Sequence, residues 1–404
     1  MQIPVLGIVA EYNPFHKGHE YHITESIKRT KAESVVIVLS SDFVQRGEAA
    51  LTSKWNRAEI ALKSGADLVI ELPSVFSAHN AGVFANASVD LLNATGIISH
   101  MSFGSEDSKW YTQNILDILI DEPEDFKSAL RFFLNKGHSF VEARSLALDK
   151  LVPGTHERVK KSNNLLGISY LKRLRELNSP ISPVTIERKG SDYNDTELSA
   201  LSSATAIRRA IYAGECTKAL NELPEASAVM LSEALRDGKA VISDKKLWNL
   251  LRYRLLSSTP EELADIAEIS EGIEFKLRDE AIKAKSFGEW TDICTSRRYP
   301  SSRIKRHAIH TLLGLDHWTN RALQRLSVPY IRVLGMTRNG QELLRRMKTT
   351  ATLPVITKYG EAASVSSYAK KIMDYELKAC ELWAQLTESE EYGQEHKNSI
   401  IIIK

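Results

Sequence analysis

A pair of histidines three residues apart is the part of the sequence best suited to chemistry. His16 and His19 stand on either side of Lys17 and Gly18, in a run that begins at Glu11. Side chains three residues apart lie on one face of a helix, so both imidazoles would point to the same side of its first turn. Backbone N–H groups at a helix N-terminus attract phosphate, and Gly18 would let a ligand approach them closely. We therefore predict a clamp that stabilises the charge on an α-phosphate under attack.

Two other roles for these histidines agree less well with the sequence. A purely structural pair is disfavoured because the turn is polar. A zinc site could use His16, His19 and His22, but each step of three residues rotates by about 60° around a helix, so the third ring leaves the shared face. Zinc also usually has cysteine or carboxylate ligands, and none is obviously placed here. No resident metal ion is predicted at this turn.

Short β-branched runs alternate with helical patterns in the first half of the chain. The predicted strands are Ile3–Val9, Ser34–Leu39, Asp67–Leu72, Ile97–Phe103 and Pro183–Glu187. The predicted helices are Gly18–Lys31, Lys54–Ser64, Asn80–Asn93, Tyr111–Asp121 and Asn163–Leu177. This alternation predicts a mostly parallel sheet with helices on both faces, whose ligands bind at the carboxyl ends of the strands. The histidine pair directly follows the first strand.

Polar residues follow other predicted strands, at the edge where a ligand would bind. Gly104 would let an adenine or a ribose pack on the backbone, and Arg188 would add a positive charge to the same edge. The hydroxyl groups of Ser203 and Thr205 could cap a helix or hold a phosphate, and Arg208 could contact a triphosphate. Each cluster alone is typical of an ordinary loop. Together they indicate a nucleotide site.

Helical patterns dominate after roughly residue 215. The clearest are Lys245–Leu256, Pro260–Ile269, Glu274–Ser286 and Gln341–Met347. Pro329–Leu334 is an exception that predicts a strand, and the apolar tail at 398–404 is either a terminal strand or an irregular end. The expected fold is therefore α/β, with a Rossmann-like catalytic domain of mostly parallel sheet at residues 1–214 and a mainly helical domain at residues 215–404.

The positive charge of the second half is concentrated in one segment. Residues 297–348 contain twelve Lys or Arg against two acidic residues, although the whole chain has a net charge of +2. Such a basic surface favours a nucleic acid as partner. Tyr299 could stack on one of its bases. The alternative is that these cations pair with acidic residues elsewhere in the protein. The residues expected to bind phosphates are Arg297, Arg298, Arg303, Lys305 and Arg306.

Composition excludes several classes of protein. Of the 404 residues, 26% are charged and 43% hydrophobic, as in ordinary folded globular proteins. No run approaches the ~20 apolar residues that span a bilayer, and the start lacks the features of a secretory signal. The widely spaced Cys216, Cys294 and Cys380 fit neither a zinc nor a disulfide pattern. We expect a cytoplasmic protein without membrane attachment.

Longer motifs make the chain similar to a known family. The string from His16 to His19 has the H-x-G-H signature of nucleotidylyl transferases that act at an α-phosphate. Together the motifs resemble the tRNA(Met) cytidine acetate ligase family over nearly the whole chain. Ser162 and Ser41-Asp42 depart from its usual pattern, which has proline and glycine there. The matching motifs are Gly7–His19, Phe43–Glu48, Lys54–Arg57, Gly65–Pro73, Phe103–Glu106, Asn163–Gly167, Ser203–Arg208 and Tyr330–Met336.

The resemblance implies an activity, a nucleotidylyl transferase type of first domain, and a set of binding residues. Members of that family use ATP to activate acetate as acetyl-adenylate, then acetylate N4 of the wobble cytidine in elongator tRNA(Met). AMP and pyrophosphate are released, Mg²⁺ is expected to assist, and no obligate protein partner is evident. His16 and His19 would be the catalytic residues. The residues expected to bind ATP are Gly7, Ile8, Val9, Ala10, Glu11, Tyr12, Asn13, Pro14, Phe15, His16, Lys17, Gly18, His19, Glu20, Gly104, Asn163, Asn164, Glu187, Arg188, Ser203, Thr205 and Arg208.

Two other functions are compatible with parts of the sequence. An adenylyltransferase that joins ATP to a small phosphorylated cofactor precursor could use the same first domain. Such enzymes rarely need a basic helical domain. An RNA-binding protein whose α/β domain only senses a nucleotide would not need both histidines of the motif.

Overall fold

The computed structural model describes residues 3–106, 113–159, 161–187 and 203–404. This part of the chain contains the strands β1 Val5–Ala10, β2 Ser34–Ser40, β3 Phe43–Val44, β4 Glu48–Ala49, β5 Leu68–Leu72, β6 His100–Ser105, β7 Ser182–Glu187, β8 Ile331–Met336, β9 Val355–Ile356 and β10 Ile401–Ile402. Eight of them form one sheet with the order β10–β8–β5–β2–β1–β6–β7, in which β9 pairs with β8. β3 and β4 form a small antiparallel hairpin.

The central strands of the sheet are parallel. β1 pairs with β2 and β6, β2 pairs with β5, and β6 pairs with β7, all in parallel. β2 reads Ser-Val-Val-Ile-Val-Leu-Ser, and each of these residues is buried. Continuous burial is typical of a parallel strand that is covered on both faces. The predicted α/β class with a mostly parallel sheet is confirmed.

The sheet also contains strands from the end of the chain. β8 lies antiparallel to β5, and β10 lies parallel to β8. All six residues of β8 are buried, so this segment is an interior strand of the same sheet. The strand predicted at 329–334 is confirmed with a small shift, and the apolar tail supplies β10. The division of the chain at residue 214 stays a prediction, and strands from both sides of it share one sheet.

Helices cover both faces of the sheet. On one face, α1 and α2 pack with Ile8 and Ala10 of β1. On the other face, α4 and α9 pack where Val9 lies. Successive residues of β1 therefore serve opposite faces. The helices of the first half are α1 Lys17–Thr30, α2 Lys54–Lys63, α3 Ser74–Ser77, α4 Ala81–Ala94, α5 Gln113–Asp121, α6 Glu124–Asn135, α7 Phe140–Leu151, α8 His156–Val159, α9 Ser162–Glu176 and α10 Ala204–Tyr212.

The second half of the chain is mainly helical, as predicted. Among the residues that the structure describes, no helix has the length and apolar character needed to cross a bilayer. The helices are α11 Cys216–Asn221, α12 Glu225–Arg236, α13 Lys245–Ser257, α14 Pro260–Ala264, α15 Ile273–Lys283, α16 Phe287–Cys294, α17 Ser301–Leu313, α18 His317–Leu326, α19 Arg338–Thr350, α20 Ala362–Val365, α21 Ser367–Leu386 and α22 Gln394–Lys397.

Two predicted segments differ from the structure for physical reasons. The helix predicted to reach Ile269 ends at Ala264, because Ile266 forms a β-bridge with Asp316 and Glu268 has a φ of 63°. The segment after the second predicted strand, where the sequence predicts no further strand, contains the β3–β4 hairpin, which Gly47 closes with a φ of 73°. A side chain at Gly47 would collide with the backbone of Lys305 and Arg306 in α17. The hairpin therefore links the sheet to the helical part.

Candidate active site

The turn between β1 and α1 is held by its own two histidines. His16 is the N-cap of α1, and its Nδ1 accepts a hydrogen bond from the backbone N–H of Gly18 at 3.0 Å. In return, Nδ1 of His19 accepts from the backbone N–H of His16 at 3.3 Å. The imidazoles thus take the reciprocal capping role that Ser or Thr and Glu usually share. These bonds orient both rings on the first turn of the helix.

This capping determines which ring nitrogen carries the proton. A neutral imidazole that accepts at Nδ1 carries its hydrogen on Nε2. The ring centroids of His16 and His19 lie 3.8 Å apart, so two N–H donors lie side by side at the positive end of a helix. Both residues line one cavity together with the carboxyl ends of β1, β6 and β7. The geometry suits a clamp for phosphate oxygens, and that role stays a prediction.

The cavity brings together most of the residues predicted to bind ATP. Those that line it are Ile8, Val9, Ala10, Glu11, Tyr12, Asn13, His16, Gly18, His19, Gly104, Asn163, Glu187, Ser203 and Arg208. Gly7, Pro14, Phe15, Lys17, Glu20, Asn164 and Thr205 lie outside its lining. Arg188 is not among the residues that the structure describes. ATP binding by the individual residues stays a prediction.

Three of the residues outside the lining support the cavity from behind. Gly7 packs so closely on Leu92 of α4 that a side chain there would collide with it. Phe15 is buried, and its carbonyl accepts a hydrogen bond from Ser227 Oγ at 2.7 Å. Lys17 Nζ donates to the carbonyl of Asn221 at 2.7 Å. They position the motif against neighbouring elements, and direct contact between these three residues and ATP stays a prediction.

The two asparagines at the start of α9 have different environments. Asn163 lines the cavity and donates from Nδ2 to Glu106 Oε1 at 2.6 Å. Asn164 is fully buried, and its Oδ1 accepts from Ser105 Oγ at 2.9 Å and from the backbone N–H of Glu106 at 3.1 Å. The Asn164 backbone N–H in turn donates to Glu106 Oε2 at 3.0 Å. Asn164 therefore joins the end of β6 to α9, and Asn163 is the one that faces the cavity.

Arg208 occupies a fixed position in the cavity wall. Its guanidinium donates to the carbonyl of Asn13 at 2.6 Å and to Glu48 Oε2 at 2.9 Å. Although burial opposes it, Arg208 and Lys305 together lower the pKa of Glu48, which keeps this carboxylate charged. Ser203 caps α10 by accepting from the backbone N–H of Ala206 at 3.2 Å. The cavity wall therefore carries an anchored guanidinium group.

The sequence did not assign ten further lining residues to the site. Three of them are aromatic residues of α4, β6 and α9, which read as ordinary core residues in a sequence. His22 was considered only as a zinc ligand, and its Nε2 lies 2.9 Å from Ser102 Oγ. Its spacing from the histidine pair was the signal that could have found it. The ten residues are Tyr21, His22, Gln45, Arg46, Phe84, Phe103, Leu166, Tyr170, Ile186 and Ala204.

Comparison with known proteins identifies the family. A family model described as HIGH Nucleotidyl Transferase matches residues 3–399. A relative from Clostridium acetobutylicum, named tRNA(Met) cytidine acetate ligase, is 34% identical over 99% of this chain and 100% of its own length. A relative of the same name from Caldanaerobacter subterraneus is 39% identical over 94% of this chain and 93% of its own length. The chain belongs to the tRNA(Met) cytidine acetate ligase family.

Two solved structures have the same fold as this chain. The apo form of Thermotoga maritima TmcAL superposes with a TM-score of 0.93 at 30% identity, over 99% of both chains. The same protein bound with alpha-thio ATP gives a TM-score of 0.89, again over 99% of both chains. That structure holds an analogue of ATP. The resemblance inferred from the sequence motifs is confirmed.

In this family member, the motif residue Lys54 lies in an interior cluster away from the cavity. Its Nζ lies 2.5 Å from Glu71 and 2.8 Å from Glu376, and it also contacts Glu395. Arg332 lies 3.1 Å from Glu71 and also contacts Glu395. We call these five side chains the buried ion cluster; burial raises the pKa of Glu71, although Arg332 and Lys54 oppose this. The carboxylates could hold a cation, but two basic groups already occupy that role.

The basic segment turns part of its charge inward. Lys305 Nζ lies 2.7 Å from Glu48. Arg306 is buried, 3.8 Å from the carboxylate of Glu268, and Arg303 donates to the Glu268 carbonyl at 3.2 Å. These contacts agree with the alternative that some of the cations pair with acidic residues of the protein.

The start of the basic segment lies at the surface. Arg297 and Arg298 are exposed, and Arg298 pairs with Glu271 at 2.7 Å. Tyr299 is only 6% exposed, its hydroxyl donates to the Ser270 carbonyl at 2.8 Å, and the Arg303 guanidinium covers its ring at 4.5 Å. The prediction that Tyr299 stacks on a base is therefore wrong. Binding of tRNA by the five predicted cations stays a prediction.

Proposed function

We propose that the chain is an ATP-dependent ligase that modifies tRNA. It activates acetate as acetyl-adenylate, acetylates N4 of the wobble cytidine of elongator tRNA(Met), and releases AMP and pyrophosphate. The main support is the adjacent pair of imidazoles, His16 and His19, at a helix N-terminus inside a cavity. Such a pair suits attack at an α-phosphate. The curated relatives carry the name of this activity.

In the first step, an acetate oxygen attacks the α-phosphorus and the bond to pyrophosphate breaks. His16 and His19 donate hydrogen bonds from Nε2 to phosphate oxygens, whose negative charge grows in the transition state. Arg208 adds a positive charge that Asn13 and Glu48 hold in place. Because these groups are fixed before the substrate binds, little reorganisation is needed during the reaction.

Mg²⁺ is expected to accompany the triphosphate. In such sites the ion takes one or two carboxylates, while water and substrate phosphates supply its other ligands. Glu187 provides a carboxylate in the described cavity wall, so the available donors fit. When bound, the ion neutralises charge on the departing pyrophosphate.

We propose that the tRNA approaches the cavity over the basic segment, residues 297–348. Arg297 and Arg298 are the strongest candidates of the five predicted residues, because both are exposed. On α18, Trp318 is 74% exposed and the Arg321 guanidinium lies 5.6 Å from its ring. An exposed aromatic ring beside a cation suits a base of single-stranded RNA. The cytoplasm, where tRNA and ATP occur together, is the proposed location.

Selectivity for acetate is expected to be incomplete. Acetate offers one methyl group for recognition, and one additional methylene is worth about 1–3 kcal/mol of discrimination. Propionate should therefore be excluded sterically and only in part. Competition between labelled acetate and unlabelled propionate measures this ratio.

The proposed function is tested by incubating the protein with ATP, labelled acetate and total tRNA. Incorporation of the label into elongator tRNA(Met), with AMP as a released product, supports the ligase. Release of ADP would contradict it, because ADP requires attack at the γ-phosphate. ATP consumption that depends on a small phosphorylated acceptor would favour an adenylyltransferase. Binding of tRNA and ATP without turnover would indicate an RNA-binding nucleotide sensor.

A further inference from the structure

The cavity has a second side that the histidine pair does not occupy. Ile8 and Ala10 of β1 face α1 and α2, whereas Val9 faces α4 and α9. Glu11, the residue after β1, lines the same cavity. Burial raises the pKa of Tyr170 on α9, and the nearby Glu11 carboxylate raises it further, which places Glu11 close to the α9 side of the cavity. We call this side the aromatic arm, lined by Glu11, Phe84, Phe103, Leu166 and Tyr170.

The aromatic arm is lined by rings from three different elements. Phe84 comes from α4, Phe103 from β6 and Tyr170 from α9. The ring centroids of Phe103 and Tyr170 lie 5.5 Å apart. Each of the three rings is largely buried, yet each also lines the cavity. An apolar wall of this kind suits a flat ring, which can stack or pack edge-on against the aromatic side chains.

Glu11 places one carboxyl group in this arm. Its Oε1 accepts a hydrogen bond from the backbone N–H of Gln45 at 2.9 Å. Arg57 donates to the backbone carbonyl of Glu11 at 2.7 Å, which fixes the chain at this residue. The carboxyl group is therefore both positioned and in contact with the cavity.

The groups around Glu11 shift its pKa in both directions. Enclosure by the protein raises the pKa of Glu11, while the Gln45 N–H, Arg208 and Arg46 lower it and Glu48 raises it further. The net direction is upward. A carboxylate with a raised pKa is a stronger base than an ordinary glutamate.

The chemistry of the arm matches a cytosine base. Carboxylates accept hydrogen bonds from the N4 amino group of cytosine, and aromatic side chains stack on bases that are splayed out of a loop. We propose that the aromatic arm holds the target cytosine of the tRNA and that Glu11 is the general base for its acetylation. This assignment rests on the proposed ligase function and adds the acceptor site to it.

The proposed step balances without another reagent. Cytosine N4 attacks the acyl carbon of acetyl-adenylate, and a carbon–nitrogen bond forms. The bond between the acyl carbon and the phosphate oxygen breaks, and AMP leaves with the electron pair. Glu11 accepts the proton that N4 loses and later releases it to solvent. The products are N4-acetylcytidine in tRNA and AMP.

The test separates the two half-reactions in the full-length protein. Acetate-dependent exchange of pyrophosphate into ATP reports adenylate formation, and labelled acetate in tRNA reports transfer. For Glu11→Gln we expect transfer to fall by at least about 100-fold and exchange by less than about tenfold, the former being typical for loss of a general base. Acetyl-adenylate should accumulate. Glu11→Asp should retain part of the transfer rate, and Glu59→Gln, which changes a partly exposed glutamate of α2 outside the cavity lining, should retain both activities.

A pH profile gives an independent readout. Starting from preformed acetyl-adenylate, transfer by the unsubstituted protein should slow as the pH falls through the raised pKa of Glu11. In Glu11→Gln this acidic limb should disappear, with a melting temperature close to that of the unsubstituted protein. An acidic limb that persists in the variant would overturn the assignment.

The remaining outcomes distinguish this inference from the proposed function. Equal loss of exchange and transfer in Glu11→Gln, together with a higher KM for ATP, would mean that the arm holds part of the adenylate. Unchanged transfer would remove Glu11 from the reaction while the ligase function stands. If the unsubstituted protein neither exchanges pyrophosphate in the presence of acetate nor acetylates tRNA, the proposed function fails and the acceptor site fails with it.

Discussion

Two groups of ionisable side chains lie next to the same sheet, one at the cavity and the other enclosed by the protein. His16, His19 and Glu11 line the cavity at the carboxyl ends of the strands. The buried ion cluster around Lys54 is enclosed, and the side chains of Lys54 and its three glutamate partners are 0% exposed. The first group belongs to one sequence motif, and Lys54, Glu71 and Arg332 of the second group belong to three others. Only the first has open space beside it into which a substrate can enter.

The difference shows that access to the cavity decides whether a charged side chain can serve in catalysis or only in folding. In the buried ion cluster every carboxylate already has a basic partner, so its charges contribute to the fold. At the cavity, the histidines bond to the backbone through Nδ1, and both residues line the open space. A motif can therefore be required for folding or for chemistry, and the surroundings decide between these roles.

The largest effect is expected from breaking the buried ion cluster. Lys54→Met should lower the free energy of unfolding by about 3–5 kcal/mol, because it leaves buried carboxylates without their shared cation. Lys63→Met removes an exposed lysine from the same helix. It should change the free energy of unfolding by less than about 1 kcal/mol. Denaturant unfolding measures both. Similar stability for the two variants would contradict the assigned role of the cluster.

The next largest effect is a loss of activity, expected when a residue that lines the cavity is substituted. His19→Ala should reduce acetate-dependent pyrophosphate release by about 10²–10³-fold, as for loss of one preorganised donor. Its melting temperature should fall only slightly, because the change removes one capping hydrogen bond of 3.3 Å at the start of α1. His317→Ala, which changes an exposed histidine on α18, is the matched control. Near-normal pyrophosphate release by His19→Ala would remove this residue from the mechanism.

A buried histidine extends the comparison to acid stability. His307 is fully buried, and neither ring nitrogen has a hydrogen-bond partner among the described residues. Burial, followed by nearby Arg303, lowers the pKa of His307 to about 3. Between this value and the ordinary pKa of about 6.5, unfolding takes up a proton, so stability falls as the pH falls, by about 1.4 kcal/mol per pH unit.

His307→Leu should remove this proton uptake. Denaturant unfolding at several pH values between neutral and pH ~4 should give a curve flatter by about 1.4 kcal/mol per pH unit. The exposed His317→Leu should leave the slope unchanged. Parallel curves for the His307 variant and the unsubstituted protein would show that this imidazole is protonated in the folded state.

The smallest effect is expected at the surface of the basic segment. Arg297→Ala with Arg298→Ala should weaken tRNA binding and reduce the slope of log affinity against log salt by about two units, or one for each lost phosphate contact. Adenylate formation without tRNA should persist. Charge reversal at Arg306 is less informative, because it would place a second carboxylate beside that of Glu268.

A double variant on α6, Lys127→Ala with Arg131→Ala, is the control for this experiment. It also removes two exposed cations, and it should leave the salt slope unchanged. An equal change in both double variants would mean that tRNA responds to total charge. No change in either would move the search to Arg321 and Trp318 on α18.

Much of the central fold could be predicted because its signals are local. β2 and β5 are runs of β-branched and apolar residues, and α1 and α2 lie within one residue of their predicted bounds. The β3–β4 hairpin could not be predicted from two-residue strands in a polar loop. Its turn depends on Gly47 packing against the backbone of Lys305 and Arg306 in α17, far along the chain.

The candidate site could be predicted in part for the same reason. The histidine pair is a local motif whose three-residue spacing sets its geometry. The roles of neighbouring residues were not separable, since Asn163 and Asn164 are adjacent in sequence but only Asn163 lines the cavity. Tyr299 looked like a stacking surface, but a buried contact with Ser270 holds its hydroxyl.

The sequence by itself determined the class of the fold, the family and the location of the chemical motif, because these follow from short-range patterns. The tertiary structure decided which charged residues face open space and which are enclosed. It placed Lys54 in an ion cluster with α21 and α22, and Glu11 beside aromatic rings from α4, β6 and α9. The physical reason is that burial and charge pairing depend on contacts between segments hundreds of residues apart, which no local pattern specifies.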